Sequence, residues 1–164
     1  MNSREFSTRI DDLRPVYDEK YRELIEKLSQ KGDTTGKGNV STFGAFYQTY
    51  MYAYLIGIRL GEKTPLNGKG IEFAPIGKWK PVQLKDLVLV TLFNRANDMG
   101  FSWYELETSQ PGKVDQILKK LQKELESYAN RGLEYMQNKY NTEKLRFEDP
   151  NVFMLLLKEI VDKK

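Results

Sequence analysis

The side chains in this sequence that could do chemistry are carboxylates, lysines, tyrosines and hydroxyls, because the chain contains no Cys and no His. That excludes disulfides, thiol nucleophiles, zinc sites built from Cys or His, and every His-dependent triad. Three carboxylate pairs stand close in the sequence: Glu105 with Glu107, Glu124 with Glu126, and Glu148 with Asp149. A glycosidase-like hydrolase needs two carboxyl groups facing each other across a cleft, about 5–9 Å apart. Sequence neighbours seldom meet that demand. Two helical positions separated by one residue point about 200° apart, which would splay Glu124 from Glu126. Asp149 precedes Pro150 and reads as a helix cap. No catalytic residue, cofactor or metal is assigned from the sequence, although an oxygen-only site for magnesium or calcium stays open. A small carboxylate-dependent hydrolase is carried as the alternative function.

Phosphate chemistry has two candidate carriers. Lys31 to Asn39 holds three glycines and no apolar residue, as a mobile loop would. A phosphate loop, however, needs Gly, four residues, then Gly-Lys-Ser/Thr between a strand and a helix. Here Gly36-Lys37 is followed by Gly38, and no strand precedes it. The second carrier is a lysine-rich middle. Arg59, Lys63, Lys69, Lys78, Lys80 and Lys85 face only Glu62 and Glu72 within that span, a local excess of four positive charges. Lys78-Trp79-Lys80 alternates cations with a ring, so on a strand both cations would share one face. Such a pair can hold phosphates and give salt-dependent affinity without reading sequence. The six cations are therefore the candidate nucleic-acid contacts. The competing expectation is a solvated loop with Trp79 buried beneath it.

The elements that must position these groups follow from periodicity. The chain has 164 residues, 40% hydrophobic and 30% charged, with a net charge of +3. These values predict one domain with a real core. Residues 1–12 are polar and expected to be loosely held. From Pro15, the positions Tyr17, Tyr21, Leu24, Ile25 and Leu28 share one helical face, with Gly32 as the stop. Ser41 or Thr42 should cap a second helix, whose residues Phe43, Phe46, Tyr47, Tyr50, Tyr54 and Ile58 cover more than one face. That marks a central helix, with Gly57 as a point of close approach and Gly61 as its end. Asn67-Gly68 suggests a tight turn, and Ile71-Glu72-Phe73 a strand that could pair with Lys78-Trp79-Lys80. Further helices are expected from Val82 or Gln83 to about Asp98, from Pro111 to about Asn138, and from Asp149-Pro150 onward. Phe101 to Leu106 should add a turn packing Trp103 inward. The predicted fold is thus mainly α, one compact helical domain of about five helices with one short β-ribbon.

Several short motifs in this framework resemble a known family. Phe43, Ala53 and Ile56-Gly57, then Lys63-Thr64-Pro65, the connector Ala74-Pro75-Ile76, and Glu126-Ser127-Tyr128-Ala129-Asn130-Arg131-Gly132-Leu133-Glu134 are similar to the small Dnd system-associated proteins. These accompany DNA phosphorothioation defence clusters in bacteria. The resemblance covers about residues 41–140, and the Tyr-Ala-Asn-x-Gly-Leu-Glu run is its more specific part. It implies a bacterial, cytoplasmic, non-enzymatic accessory protein that binds a protein partner, DNA backbone, or both. It transfers no catalytic residue. It implies structural roles for Gly57 and Gly132 in close approach and for Tyr128 as a core ring with a tethered hydroxyl, and it keeps the family proline as Pro65. Asp33–Asn39 and Lys78-Trp79-Lys80 have no counterpart in it. No apolar run reaches the length of a membrane span, and the N-terminus lacks an apolar signal core, so no membrane partner is expected. A homo-oligomer stays open.

Overall fold

The aromatic-rich segment and the longest amphipathic segment both form helices, and their crossing organises the molecule. A computed structural model describes residues 2–29 and 44–163. Helix α3 (Phe46–Leu60) buries Tyr50, Met51, Ala53, Tyr54, Ile56 and Gly57, and helix α6 (Pro111–Thr142) crosses it. The crossing is close because both helices carry glycine there. A Cβ on Gly57 would lie 2.0 Å from the carbonyl oxygen of Tyr128, and one on Gly132 would lie 1.7 Å from that of Ala53. Backbone meets backbone, so the expectation of a close approach at Gly57 holds. Gly61 ends α3 in the left-handed conformation at φ 73°, where glycine carries no Cβ penalty.

The other elements pack around this pair: α1 (Ser3–Asp11), β1 (Val16–Asp18), α2 (Arg22–Leu28), β2 (Gly70–Glu72), α4 (Val82–Phe93), α5 (Trp103–Thr108) and α7 (Val152–Asp162). Short 3-10 turns cover Glu19–Tyr21, Ile76–Lys78 and Lys144–Glu148. One hydrophobic cluster takes residues from every helix, so the described chain is mainly α and a single compact domain.

Several expectations are corrected. Residues 3–11, expected to be loosely held, form helix α1. Asn2 caps α1 by accepting from the Glu5 N–H at 2.8 Å, and Phe6 sets its ring 5.9 Å from Phe93 and 5.7 Å from Trp103. The helix expected from Pro15 begins only at Arg22. Val16–Asp18 is instead a strand, because α3 and α6 pin its backbone: the Tyr50 hydroxyl donates to the Val16 carbonyl at 3.1 Å, and Glu126 accepts from the Val16 N–H at 3.1 Å. This strand, not Lys78–Lys80, is the partner of β2, antiparallel with Tyr17 opposite Ile71. Lys78 lies in a 3-10 turn, and Gly68 has no positive φ, so Asn67-Gly68 is a loop bend rather than a primed hairpin turn. Helix α4 stops at Phe93 and successive turns carry the chain to Gly100 (φ 75°). Helix α6 continues to Thr142, and α7 starts at Val152, with the Asp149 carboxylate accepting from the Asn151 N–H one turn earlier. Trp103 packs at ring distance from Phe6, Phe93 and Phe101 but stays 38% exposed. The glycine-rich Lys31–Asn39 stretch, Gly32, the Ser41 and Thr42 caps and Phe43 lie outside the described residues.

Candidate interaction surface

The structure divides the lysine-rich middle by what each cation meets. Lys63 reaches the Glu124 carboxylate at 3.1 Å, Lys69 stands 3.9 Å from Glu19, and Lys85 is largely buried with its ammonium 3.6 Å from Asp11. Each of those acids comes from a distant part of the chain. Arg59 is exposed on the last turn of α3 and also has an interaction partner. Only Lys78 and Lys80 are exposed and without an ion pair to any described residue. The ring between them is fully buried, and its indole N–H donates to the Ala74 carbonyl at 2.9 Å. Trp79 is thus an anchor that holds two cations outward just before α4.

Of the paired carboxylates, Glu124, Glu126, Glu105 and Asp149 are engaged in holding the fold. Glu124 is buried beneath Lys63 and Arg95, whose Nε lies 3.5 Å from it without hydrogen-bond geometry, and Arg95 also sits 4.7 Å over the Tyr128 ring. Glu126 points the other way. It accepts from the Val16 N–H and from Gln122 Nε2 at 2.8 Å, and burial pushes its carboxyl above the usual carboxylate range. Glu105 forms a capping box with Ser102 at the start of α5. Glu148 is exposed, and its neighbour Asp149 makes the turn bond described above. Among the described residues no group of three or more acidic side chains could hold a metal ion, and no helix is long and apolar enough to cross a membrane.

The Lys63-Thr64-Pro65 loop and the run from Glu126 to Glu134 pack on each other. Asn130 Nδ2 donates to the carbonyls of Thr64 at 3.1 Å and Pro65 at 3.2 Å, Thr64 Oγ1 bonds Glu134, and Arg131 meets Glu62 at 2.7 Å. These residues clamp the loop after α3 onto α6. Tyr128 is a buried ring as expected, but its hydroxyl makes no hydrogen bond to another described residue. A second charged network was not anticipated from spacing. Glu159 gathers Lys139 at 2.5 Å, Lys163 at 2.7 Å and Arg146 at 2.8 Å, and these hydrogen bonds hold its carboxyl down at about 2. It ties α7 to the end of α6.

Several large apolar side chains also remain turned to solvent. Helix α4 is hydrophobic on nearly all sides, yet only Val88 and Leu92 are buried in it. Its outward stripe, at helical spacing, is Val82, Gln83, Asp86, Leu87 and Val90. Within that stripe Leu87 is 49% and Val90 55% exposed. The row continues through half-buried Phe93, whose ring is 5.2 Å from Trp103, and the adjoining Tyr104 is mostly exposed. The apolar run Leu87-Val88-Leu89-Val90 therefore buries only one of its sides. Lys78 and Lys80, both exposed, precede α4 in the chain. Compared with protein-family models, with curated proteins and with solved structures, the chain finds no match.

Proposed function

We propose that this protein is a non-enzymatic interaction module that engages a protein partner through the outward face of α4. The observation that carries this is the exposed Leu87 and Val90 on a helix whose opposite side already fills its core positions. Apolar side chains held on a rigid helix are the material of a partner surface. Lys78 and Lys80, exposed just before α4 in the chain, are free to meet acidic side chains of a partner or DNA phosphates. The resemblance supports placing the module among bacterial, cytoplasmic accessory proteins of DNA-modification-linked phage defence.

The test is purification from the host with associated protein and nucleic acid retained, for the native chain, Leu87→Ser/Val90→Ser and Lys78→Glu/Lys80→Glu. The apolar variant should keep native helicity and lose the partner. The charge-reversed variant should weaken duplex binding at low salt. Two phosphate contacts predict a slope of about −1.8 for log affinity against log salt, which the reversal should remove. A native chain that is a strict monomer and recovers neither protein nor nucleic acid overturns the assignment. Duplex binding unaffected by the Lys78 and Lys80 reversals removes its DNA arm.

A further inference from the structure

The outward face of helix α6 carries a stripe of positive charge that pairs with no described carboxylate. Lys113, Lys119, Lys120 and Lys123 are all exposed on it, with Gln116 exposed between them. At 3.6 residues per turn these lysines fall within an arc of about 120° and along about 15 Å of the helix. The opposite side of the same turns, Val114, Ile117, Leu118 and Leu121, is buried in the core.

The acids within reach are engaged elsewhere. Asp115, one turn before Lys119, is held by Arg9 of α1. Glu124, one turn after Lys120, lies buried against Lys63 and Arg95, and Asp98 also meets Arg95. Lys123 acts on the buried Glu126 carboxyl only from beyond ion-pair distance. Lys120 Nζ donates to the Met99 carbonyl at 3.1 Å, which fixes its place and leaves its charge whole. Lys119 and Lys123, at i and i+4, repel each other. The first turn of α6 has the same sign, for it contains no acidic residue and no side-chain cap. Further along the helix, by contrast, Arg131 and Lys139 do find carboxylates, in Glu62 and Glu159.

We propose that this stripe seats the sugar–phosphate backbone of a nucleic-acid duplex without reading its sequence. The chemistry of the stripe selects that occupant. The core of a protein interface is poor in lysine and rich in aromatic side chains, and no aromatic or aliphatic residue stands among these lysines. A helix lying on a lipid surface turns its apolar side to the lipid, and that side of α6 is already inside the protein. Binders of single strands add rings on which bases stack, and the stripe has none. A duplex carries one charge per ~1.7 Å of its axis, so about 15 Å of it faces the four lysines with about nine phosphates. Ammonium groups meet those phosphates as point charges and carry no base code. The inference rests neither on α4 nor on Lys78 and Lys80.

Affinity for a duplex of mixed sequence, read by fluorescence anisotropy across a salt series, tests it. Four phosphate contacts contribute about −3.6 to the slope of log affinity against log salt, and this contribution should persist in Lys78→Gln/Lys80→Gln. Lys119→Gln/Lys123→Gln changes helix propensity little and should reduce the steepness by about 1.8. Lys144→Gln/Lys158→Gln removes the same net charge from two exposed lysines off the stripe and should leave the slope unchanged. Should the Lys119/Lys123 variant lose native circular dichroism, Lys113→Gln must by itself reduce the steepness by about 0.9. Four outcomes overturn the assignment. They are no duplex binding at low salt, equal losses from the two pairs on and off the stripe, a slope that vanishes in Lys78→Gln/Lys80→Gln, and polyglutamate or phosphatidylserine vesicles bound as tightly as the duplex. None of them touches the reading of α4, whose partner is followed by co-purification.

Discussion

Glu124 and Glu126 lie two positions apart on α6 and are both buried, yet they serve different parts of the chain. Helix geometry made their divergence legible from spacing alone. Their partners were not legible, because Lys63 is 61 positions from Glu124 and Val16 is 110 from Glu126. For Glu126 the consequence is a pH dependence of definite sign. Burial raises its carboxyl, while Gln122 and the Val16 N–H act against that rise. The folded state therefore holds the proton more readily than the unfolded chain does. The stabilisation tied to protonation is complete below the unfolded value of about 4.3 and is lost as pH rises through the higher folded value. Glu126→Gln keeps an acceptor for Val16 without a buried charge. It should match or exceed the native stability at pH 7 and flatten the stability profile across that window. Glu126→Ala leaves the Val16 N–H without its acceptor and should lose about 1–3 kcal/mol. Urea denaturation at pH 4 and pH 7 measures both. A Glu126→Gln protein clearly weaker than native at pH 7 would show that the charge itself is required.

At the scale of elements, the α3–α6 crossing is the feature that amino-acid order announces most clearly. Apolar residues on more than one face of α3 demand burial, and Gly57 within them signals a near neighbour. The reciprocal glycine, Gly132, is the other half of that contact. A methyl group at Gly132 would come 1.7 Å from the Ala53 carbonyl oxygen, which belongs to rigid helical backbone and has no rotamer to escape through. Gly132→Ala should therefore cost about 3 kcal/mol or more, at the upper end of overpacking penalties. Gly112→Ala, in the first turn of the same helix with nothing within 4 Å, should stay within about 0.5 kcal/mol of native. Thermal and urea melts of the two proteins separate backbone collision from helix propensity, and equal stabilities would refute the close crossing. The elements that order alone concealed share a different property. Strand β1 exists because Tyr50 and Glu126 hold its backbone, and α1 because Phe93 and Trp103 receive Phe6. Local periodicity carries no trace of partners that arrive later in the chain. The stripe of Tyr17 and Tyr21 with Leu24 looks helical because a strand followed by a 3-10 turn delivers the same rings to the same core.

For the whole molecule, the surface is what remains after distant charges have found each other. Counting lysines along Arg59–Lys85 overstated the basic patch, since the acids that meet Lys63, Lys69 and Lys85 lie at Glu124, Glu19 and Asp11. The burial of Trp79, by contrast, was among the readable alternatives, because an indole between exposed lysines favours the interior. The two tryptophans now report on different regions of one core: Trp79 is sealed beside Tyr50 near the ribbon, and Trp103 is partly open beside Phe93 and Phe101. If every helix shares a single hydrophobic cluster, neither region has a core of its own to fall back on. Trp103→Phe leaves only the sealed indole as a fluorophore, and Trp79→Phe only the open one. Within each variant, urea unfolding followed by fluorescence should coincide with unfolding followed by far-UV circular dichroism, as a cooperative domain requires. The Trp79 emission should start blue of the Trp103 emission and converge with it on unfolding. A fluorescence transition that precedes the loss of helix in either variant would instead divide the molecule into separately melting parts, and the α3–α6 crossing would no longer be the contact on which the rest depends.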